Sequence, residues 1–235
     1  NVCSSNFSQG EDFIYVFTPS TDGELLLDLF ASNNLIGLFV TEGCPTTGNC
    51  VASATTAGST QASLRTCLLL ANVTYYVHIS RSAFAVGPFC LNAEYAAPHP
   101  GTCATAMPLQ IDETCVAFDS MGVNVGDPSG CDQTISNSCI TTGFASGDDY
   151  IYSYTPAVTG ELFLDLFSNT NLLGMFVTEG CPELGNCIAS GTTTTGSNLS
   201  VRTCALFEGL TYYIHITRNS ASDIGSLVLV CWPKN

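Results

Sequence analysis

Internal repetition is what most constrains this chain. The stretch Gly23–Ser53, GELLLDLFASNNLIGLFVTEGCPTTGNCVAS, returns at Gly160–Ser190 as GELFLDLFSNTNLLGMFVTEGCPELGNCIAS, with 22 of 31 positions identical. The offset of 137 residues holds outward in both directions, pairing Asp12 with Asp149, Tyr15 with Tyr152, Pro19 with Pro156, Arg65 with Arg202, Cys67 with Cys204, His78 with His215 and Arg81 with Arg218. A unit repeated at this length is a duplicated domain, not a solenoid of short repeats.

Each unit reads as β-structure. Short runs rich in β-branched and aromatic residues alternate with Gly, Pro, Asn and Ser turns about every 8–12 residues, and helical periodicity is nearly absent. The first unit carries strands near Phe13–Thr18, Glu24–Phe30, Gly37–Thr41, Val51–Ala54, Ser63–Leu70, Thr74–Ser80 and Phe89–Tyr95, the number and spacing of a sandwich. The second repeats them near Tyr150–Thr155, Glu161–Phe167, Gly174–Thr178, Ile188–Ser190, Asn198–Phe207, Thr211–Thr217 and Ser226–Val230. The fold class is therefore all-β, two tandem jelly-roll-like β-sandwiches. The Pro- and Gly-bearing link Ala96-Ala97-Pro98-His99-Pro100-Gly101 puts the boundary between 1–97 and 98–235. The copies are unequal: residues 102–138 precede the second repeat and have no counterpart before the first, so the first unit lacks an N-terminal portion.

Charge and hydropathy narrow the partners. Five basic residues stand against twenty acidic ones, a formal net charge of −15, which repels phosphate backbones and anionic headgroups. Nucleic acid and direct membrane insertion are poor readings. No run of eighteen apolar residues and no charged-then-apolar leader occurs, so a mature, processed chain is expected. Only 11% of residues are charged while 46% are hydrophobic, a balance that suits a surface packed against neighbours.

Thirteen cysteines argue for disulfides formed outside the cell, because a reducing cytosol would require metal or redox roles that the spacings do not fit. Cys44 with Cys50 and Cys181 with Cys187 share the pattern Gly-Cys-Pro-x-x-x-Asn-Cys across a turn, so a local disulfide is expected in each unit. Cys3, Cys67 and Cys90 should contribute one further pair, as should Cys139, Cys204 and Cys231, with connectivity left open. Cys103, Cys115 and Cys131 lie in the extra segment. The odd count leaves at least one sulfur free or bonded to another molecule.

The runs Asp148-Asp149-Tyr150-Ile151-Tyr152-Ser153-Tyr154-Thr155-Pro156, Gly160-Glu161-Leu162, Gly180-Cys181-Pro182 and Gly209-Leu210-Thr211-Tyr212-Tyr213-Ile214-His215-Ile216 resemble the bacterial pre-peptidase C-terminal domain, and Cys103–Leu109 resembles its opening strand. The units depart from that family in carrying Tyr or Phe where many members have Trp, and in placing Cys67 and Cys204 on a strand usually apolar. The resemblance implies a jelly-roll-like, non-catalytic accessory domain of secreted enzymes or surface adhesins, some members binding polysaccharide or calcium.

The remaining constellations have plain explanations. His78 and His215 lack a converging nucleophile and acid, and no Gly-x-Ser-x-Gly elbow occurs, so they read as strand-face histidines and the chain as no enzyme. Glu11/Asp12, Asp148/Asp149, Glu24/Glu161, Asp28/Asp165 and Glu42/Glu179 could offer oxygen to calcium, but without an Asp-x-Asp-x-Asp loop they read as solvated outer-face acids, with no cofactor or metal expected. Trp232 is the sole tryptophan, and strand burial explains most Tyr and Phe, which makes glycan binding the alternative function. Asn6, Asn72 and Asn198 begin Asn-x-Ser/Thr sequons that are glycosylation sites where the source has that pathway.

The incomplete first unit, the extra segment, the odd cysteine and the sparse charge converge on self-assembly. An unfinished sandwich exposes a sheet edge and an apolar groove that a neighbour's strand can fill, and head-to-tail repetition gives a filament. An extracellular structural or adhesive homopolymer at the cell surface is the expectation, the donor being the N-terminal arm, 102–138 or the tail Cys231–Asn235; the alternative is a secreted carbohydrate-binding accessory module.

Overall fold

A computed structural model describes residues 2–7, 11–82, 87–98, 100–109, 111, 119–121, 139, 144, 149–169, 171–219 and 227–234, with backbone only at 5, 119–121, 227–228 and 230–234. Apart from one turn of 3-10 helix at Ser5–Phe7, its regular elements are strands. The chain divides into two compact units, one built on Asn1–His99 and the other from Pro100 onward.

In the first unit β1 (Asp12–Phe17), β6 (Tyr75–Arg81), β3 (Ile36–Glu42) and β4 (Asn49–Thr55) form one sheet in the order β1-β6-β3-β4. A second sheet orders β5 (Gln61–Arg65), β2 (Glu24–Ala31) and β7 (Phe89–Ala96) as β5-β2-β7. All pairings in this unit are antiparallel. Alternate residues of β2 (Leu25, Leu27, Leu29) and of β3 and β6 (Leu38, Val40, Val77, Ile79) bury together in the core, the period-2 pattern of sheets that each cover one face.

The second unit repeats this plan with one strand added to each sheet. β13 (Asn186–Thr193), β12 (Leu173–Glu179), β15 (Tyr212–Arg218) and β10 (Asp149–Tyr154) are joined at the edge by β8 (Met107–Pro108). In the facing sheet β14 (Asn198–Arg202), β11 (Glu161–Ser168) and β16 (Leu227–Lys234) are joined by β9 (Asp119–Met121). The added pairing of β8 with β10 is parallel, Tyr152 opposite Met107 and Ser153 opposite Pro108.

Three strand ends differ from the sequence reading by four residues or more. The expected Ser63–Leu70 and Asn198–Phe207 strands stop at Arg65 and Arg202. There the chain turns inward, Thr66 and Thr203 accept the Leu25 and Leu162 N–H groups, and Leu69 and Leu206 re-pair with Gly23 and Gly160. The last strand runs on through Pro233 to Lys234, paired with β11; β9 covers only Leu227–Leu229, so a proline without an N–H is tolerated further along.

Candidate functional site

The two units act as each other's control at one place, the outer edge of β1 and β10. In the second unit that edge is covered. The Ile151 N–H donates to the Pro100 carbonyl at 2.6 Å, and the Leu109 N–H donates to the Ser153 carbonyl at 2.8 Å. Leu109 enters the core with Tyr150, Tyr152 and Leu229. Ile151 and Tyr152 are 0% and 1% exposed.

In the first unit β1 is the terminal strand of its sheet, and the same positions are open. Ile14 is 53% exposed and Tyr15 45%; Val16 also lies open. Phe13, the counterpart of Tyr150, is half-exposed and meets Phe89 of β7 edge-on at 5.0 Å between ring centroids. Between β1 and β7 runs an apolar groove of ≈ 190 Å³ whose walls include Tyr15, Phe17, Leu27 and Leu91. The core residues of the first unit recur one for one in the second save Ala52, whose counterpart Ala189 is partly buried, while Leu109, Tyr150, Tyr152 and Leu229 are additional. The first unit thus has the groove but, among the described residues, nothing seated in it. The exposed Phe13 and Tyr15, with Phe30, Phe167 and Phe207, are exceptions to the expectation that strand burial explains most Tyr and Phe.

Sulfur sharpens the asymmetry. Among the described residues the disulfides with both partners placed are Cys3–Cys50, Cys103–Cys181 and Cys139–Cys187, so the expected local pairs Cys44–Cys50 and Cys181–Cys187 do not form. The reason lies in the turn. Thr47 and Gly48 both donate to the Cys44 carbonyl, at 3.0 and 2.7 Å, and the Cys44 Sγ lies 3.3 Å from the Thr46 Oγ1, whereas Cys50 is the second residue of β4, opposite Thr41 at the bulge. An N-terminal segment lies over that face, Val2 donating to the Pro45 carbonyl and Cys3 Sγ approaching the Val40 and Ala52 carbonyls. Cys3 and Cys139 therefore pair outside the trios in which sequence had grouped them. Cys67 is also disulfide-bonded, while Cys44, Cys90 and Cys204 are free and exposed. Cys115, Cys131 and the Cys231 side chain lie outside the described residues.

The histidines sit deeper than strand-face residues would. His215 is fully buried, its Nε2 2.8 Å from Asp149 Oδ1, and His78 Nε2 lies 3.0 Å from Asp12 Oδ1. Their rings tilt against Phe176 and Phe39. Ser80 Oγ donates to the carboxylate Asp12 Oδ1 at 2.5 Å, which is the wrong partner for a nucleophile, since activation needs the hydroxyl on the imidazole. Glu24 and Asp149 are buried, correcting their reading as solvated acids: Glu24 takes a two-pronged bond from Arg65 at 2.7 and 2.8 Å. Asp28 and Asp165 each accept from a serine on the neighbouring strand. Among the described residues no three His, Cys, Asp or Glu side chains gather at metal-binding distance. Asn6, Asn72 and Asn198 are all exposed.

No family model matches the chain, and no curated protein does. Solved structures with some likeness include the N-terminal tandem CBM22 domains of Paenibacillus barcinonensis Xyn10C (8% identity, 92% of this chain and 80% of that one, TM-score 0.27). Others are the PBSX exported protein XepA (10%, 94% and 81%, TM-score 0.28) and a turret protein of Sulfolobus turreted icosahedral virus (12%, 96% and 98%, TM-score 0.24). Scores this low leave function to be argued from the chain's own residues. Those residues describe a disulfide-bonded all-β protein, of the kind made in an oxidising compartment.

Proposed function

We propose that the protein is an extracellular, non-catalytic structural module whose first unit accepts a β-strand from a neighbouring polypeptide, and that molecules joined in this way build a cell-surface filament. The observation that carries this reading is the paired contrast at one register position, Ile14 and Tyr15 open where Ile151 and Tyr152 are sealed. An open edge offers unpaired N–H and C=O groups, and a strand laid along it gains main-chain hydrogen bonds as well as apolar burial. Of the donors expected from sequence, the tail is β16 of its own unit, while Cys3 and Cys103–Leu109 are tied within theirs. Of the expected 102–138 donor, residues 112–118 and 122–138 lie outside the described residues. Of the exposed aromatics, Phe13 and Tyr15 sit on this edge, where sandwich completion accounts for them, while Phe30, Phe167 and Phe207 lie elsewhere and leave the glycan alternative standing.

Native material should appear as long fibres by negative-stain microscopy. Uniform monomers in size-exclusion of freshly isolated protein would overturn the assembly. Val16→Lys should leave the fold intact, since Val16 is already exposed, and should abolish fibres, because a lysine on an edge strand blocks further pairing.

A further inference from the structure

Cys44 and Cys181 hold the same place in the shared Gly-Cys-Pro-x-x-x-Asn-Cys turn, yet only Cys181 is bonded. Its partner Cys103 stands four residues ahead of Met107, the first residue of the strand that runs parallel to β10. One covering segment therefore makes two attachments in the second unit, a main-chain ladder to the edge strand and a sulfur bridge to the turn. Among the described residues, the first unit presents both halves of that acceptor unoccupied: the edge of β1, and an exposed thiol at Cys44. A strand seated on β1 in the register of β8 would lie opposite Tyr15 and Val16, and a cysteine four residues before it would arrive at Cys44.

We infer that Cys44 is the covalent anchor for the incoming strand, and that this strand belongs to a separate polypeptide and carries a cysteine four residues ahead of an apolar–Pro–apolar run, the chemistry of Cys103–Leu109. This rests on the strand-acceptor reading above. The donor is not another copy's Cys103–Leu109, because withdrawing that segment would open one edge, and break one disulfide, for each edge it closed. Cys90 has no such precedent, for its place on β7 corresponds to Val228 on β16.

The linking step is thiol–disulfide exchange. The donor cysteine arrives as a mixed disulfide with a small thiol; the Cys44 thiolate attacks the donor sulfur, the new S–S bond forms, and the bond to the small thiol breaks. The small thiol leaves as a thiolate and takes up the proton that Cys44 gave, so no net oxidant is consumed. Hydrogen bonding to Thr46 holds the Cys44 thiol below its ordinary pKa, which enlarges the attacking thiolate fraction near neutrality.

The test uses the full chain and a synthetic peptide of the Pro100–Leu109 sequence with its cysteine carried as the glutathione mixed disulfide. The control peptide has the same cysteine and a scrambled strand. The adduct should map to Cys44 by mass spectrometry and form roughly tenfold or more faster with the native order, since strand pairing raises the local concentration of the sulfur. Cys44→Ser should abolish the adduct while a cysteine-free version of the peptide still protects the Ile14 amide from hydrogen exchange. Equal rates for the two peptides, or an adduct at Cys90 or Cys204, would overturn the anchor yet leave the strand acceptor standing if the amide is protected. Absence of protection would bring down both. A Cys44–Cys103 link between two copies without added peptide would overturn the assignment to a separate polypeptide.

Discussion

Truncating the same isoleucine in the two units should give unequal penalties, and the inequality measures how open β1 is. Ile151 is fully buried, so Ile151→Ala removes three carbons from a packed site and leaves a cavity, at about 2–5 kcal/mol. Ile14 is 53% exposed; about half of the transfer free energy is already forgone and no enclosed void forms, so Ile14→Ala should cost about 1 kcal/mol or less. Hydrogen exchange followed separately on β1 and β10 resolves the two, because each 1.4 kcal/mol corresponds to roughly tenfold in protection. Protection across β10 should fall roughly thirtyfold or more, and across β1 roughly fivefold or less. In the presence of the Pro100–Leu109 peptide the β1 penalty should rise toward that of β10. If Ile14→Ala were as damaging as Ile151→Ala in the peptide-free protein, β1 would be a covered strand in solution and the acceptor reading would fail.

Two further contrasts follow from the same pairing of units. The Glu24–Arg65 ion pair is nearly buried, with side chains 4% and 12% exposed, whereas Glu161–Arg202 lies largely in solvent. Glu24→Ala should therefore cost about 3–5 kcal/mol in urea unfolding monitored on the first unit, since it removes the carboxylate that balances a nearly buried guanidinium, and Glu161→Ala about 1 kcal/mol or less; equal costs would contradict the burial. Because Thr46 lowers the Cys44 pKa, alkylation of Cys44 by iodoacetamide should reach half its maximal rate at a lower pH than free cysteine does. Thr46→Val should move that midpoint upward, and an unchanged profile would remove the hydrogen bond from the account.

The architecture was legible because the alternation of apolar and polar residues is strong in Glu24–Ala31 and Tyr75–Arg81 and is stated twice, 137 residues apart. The unequal edges of the two units were legible too, in the segment that only one copy possesses. The disulfide map was not: the spacing of Cys44 and Cys50 suits a local bridge, but Cys50 bonds to Cys3 across a sequence separation of 47, a long-range pairing that counting residues does not reach. The buried acids were missed for a related reason. Glu24 opens a strand, where solvent is the ordinary expectation, and only the cross-strand register that sets Arg65 opposite Leu26 brings a guanidinium within reach. A signal for Cys44 did exist in the sequence: its counterpart Cys181 has Cys103 in the added segment as a partner, and the copy without that segment has no cysteine at the matching place.

Occupation of the edge also has to contend with the acid at the head of each edge strand. Asp149 is buried, its side chain 4% exposed, while that of Asp12 is 40% exposed, so covering β1 as β10 is covered strips water from a carboxylate. An unpaired carboxylate would resist this by several kcal/mol. Asp12 is not unpaired: Ser80 already donates to its Oδ1, and the His78 imidazole stands 3.0 Å away. Both neighbours of the acid are in place before any strand arrives; in the second unit the imidazole contact persists on burial, Asp149 lying 2.8 Å from His215, while Thr217, at the place of Ser80, donates to the Phe144 carbonyl instead. The edge of the first unit is thus open without being unprepared, and Ser80→Ala, which removes one of the two partners, should weaken peptide binding while leaving the peptide-free protein near its original stability. An unaltered affinity in calorimetric titration would show that Asp12 keeps its water when the strand binds.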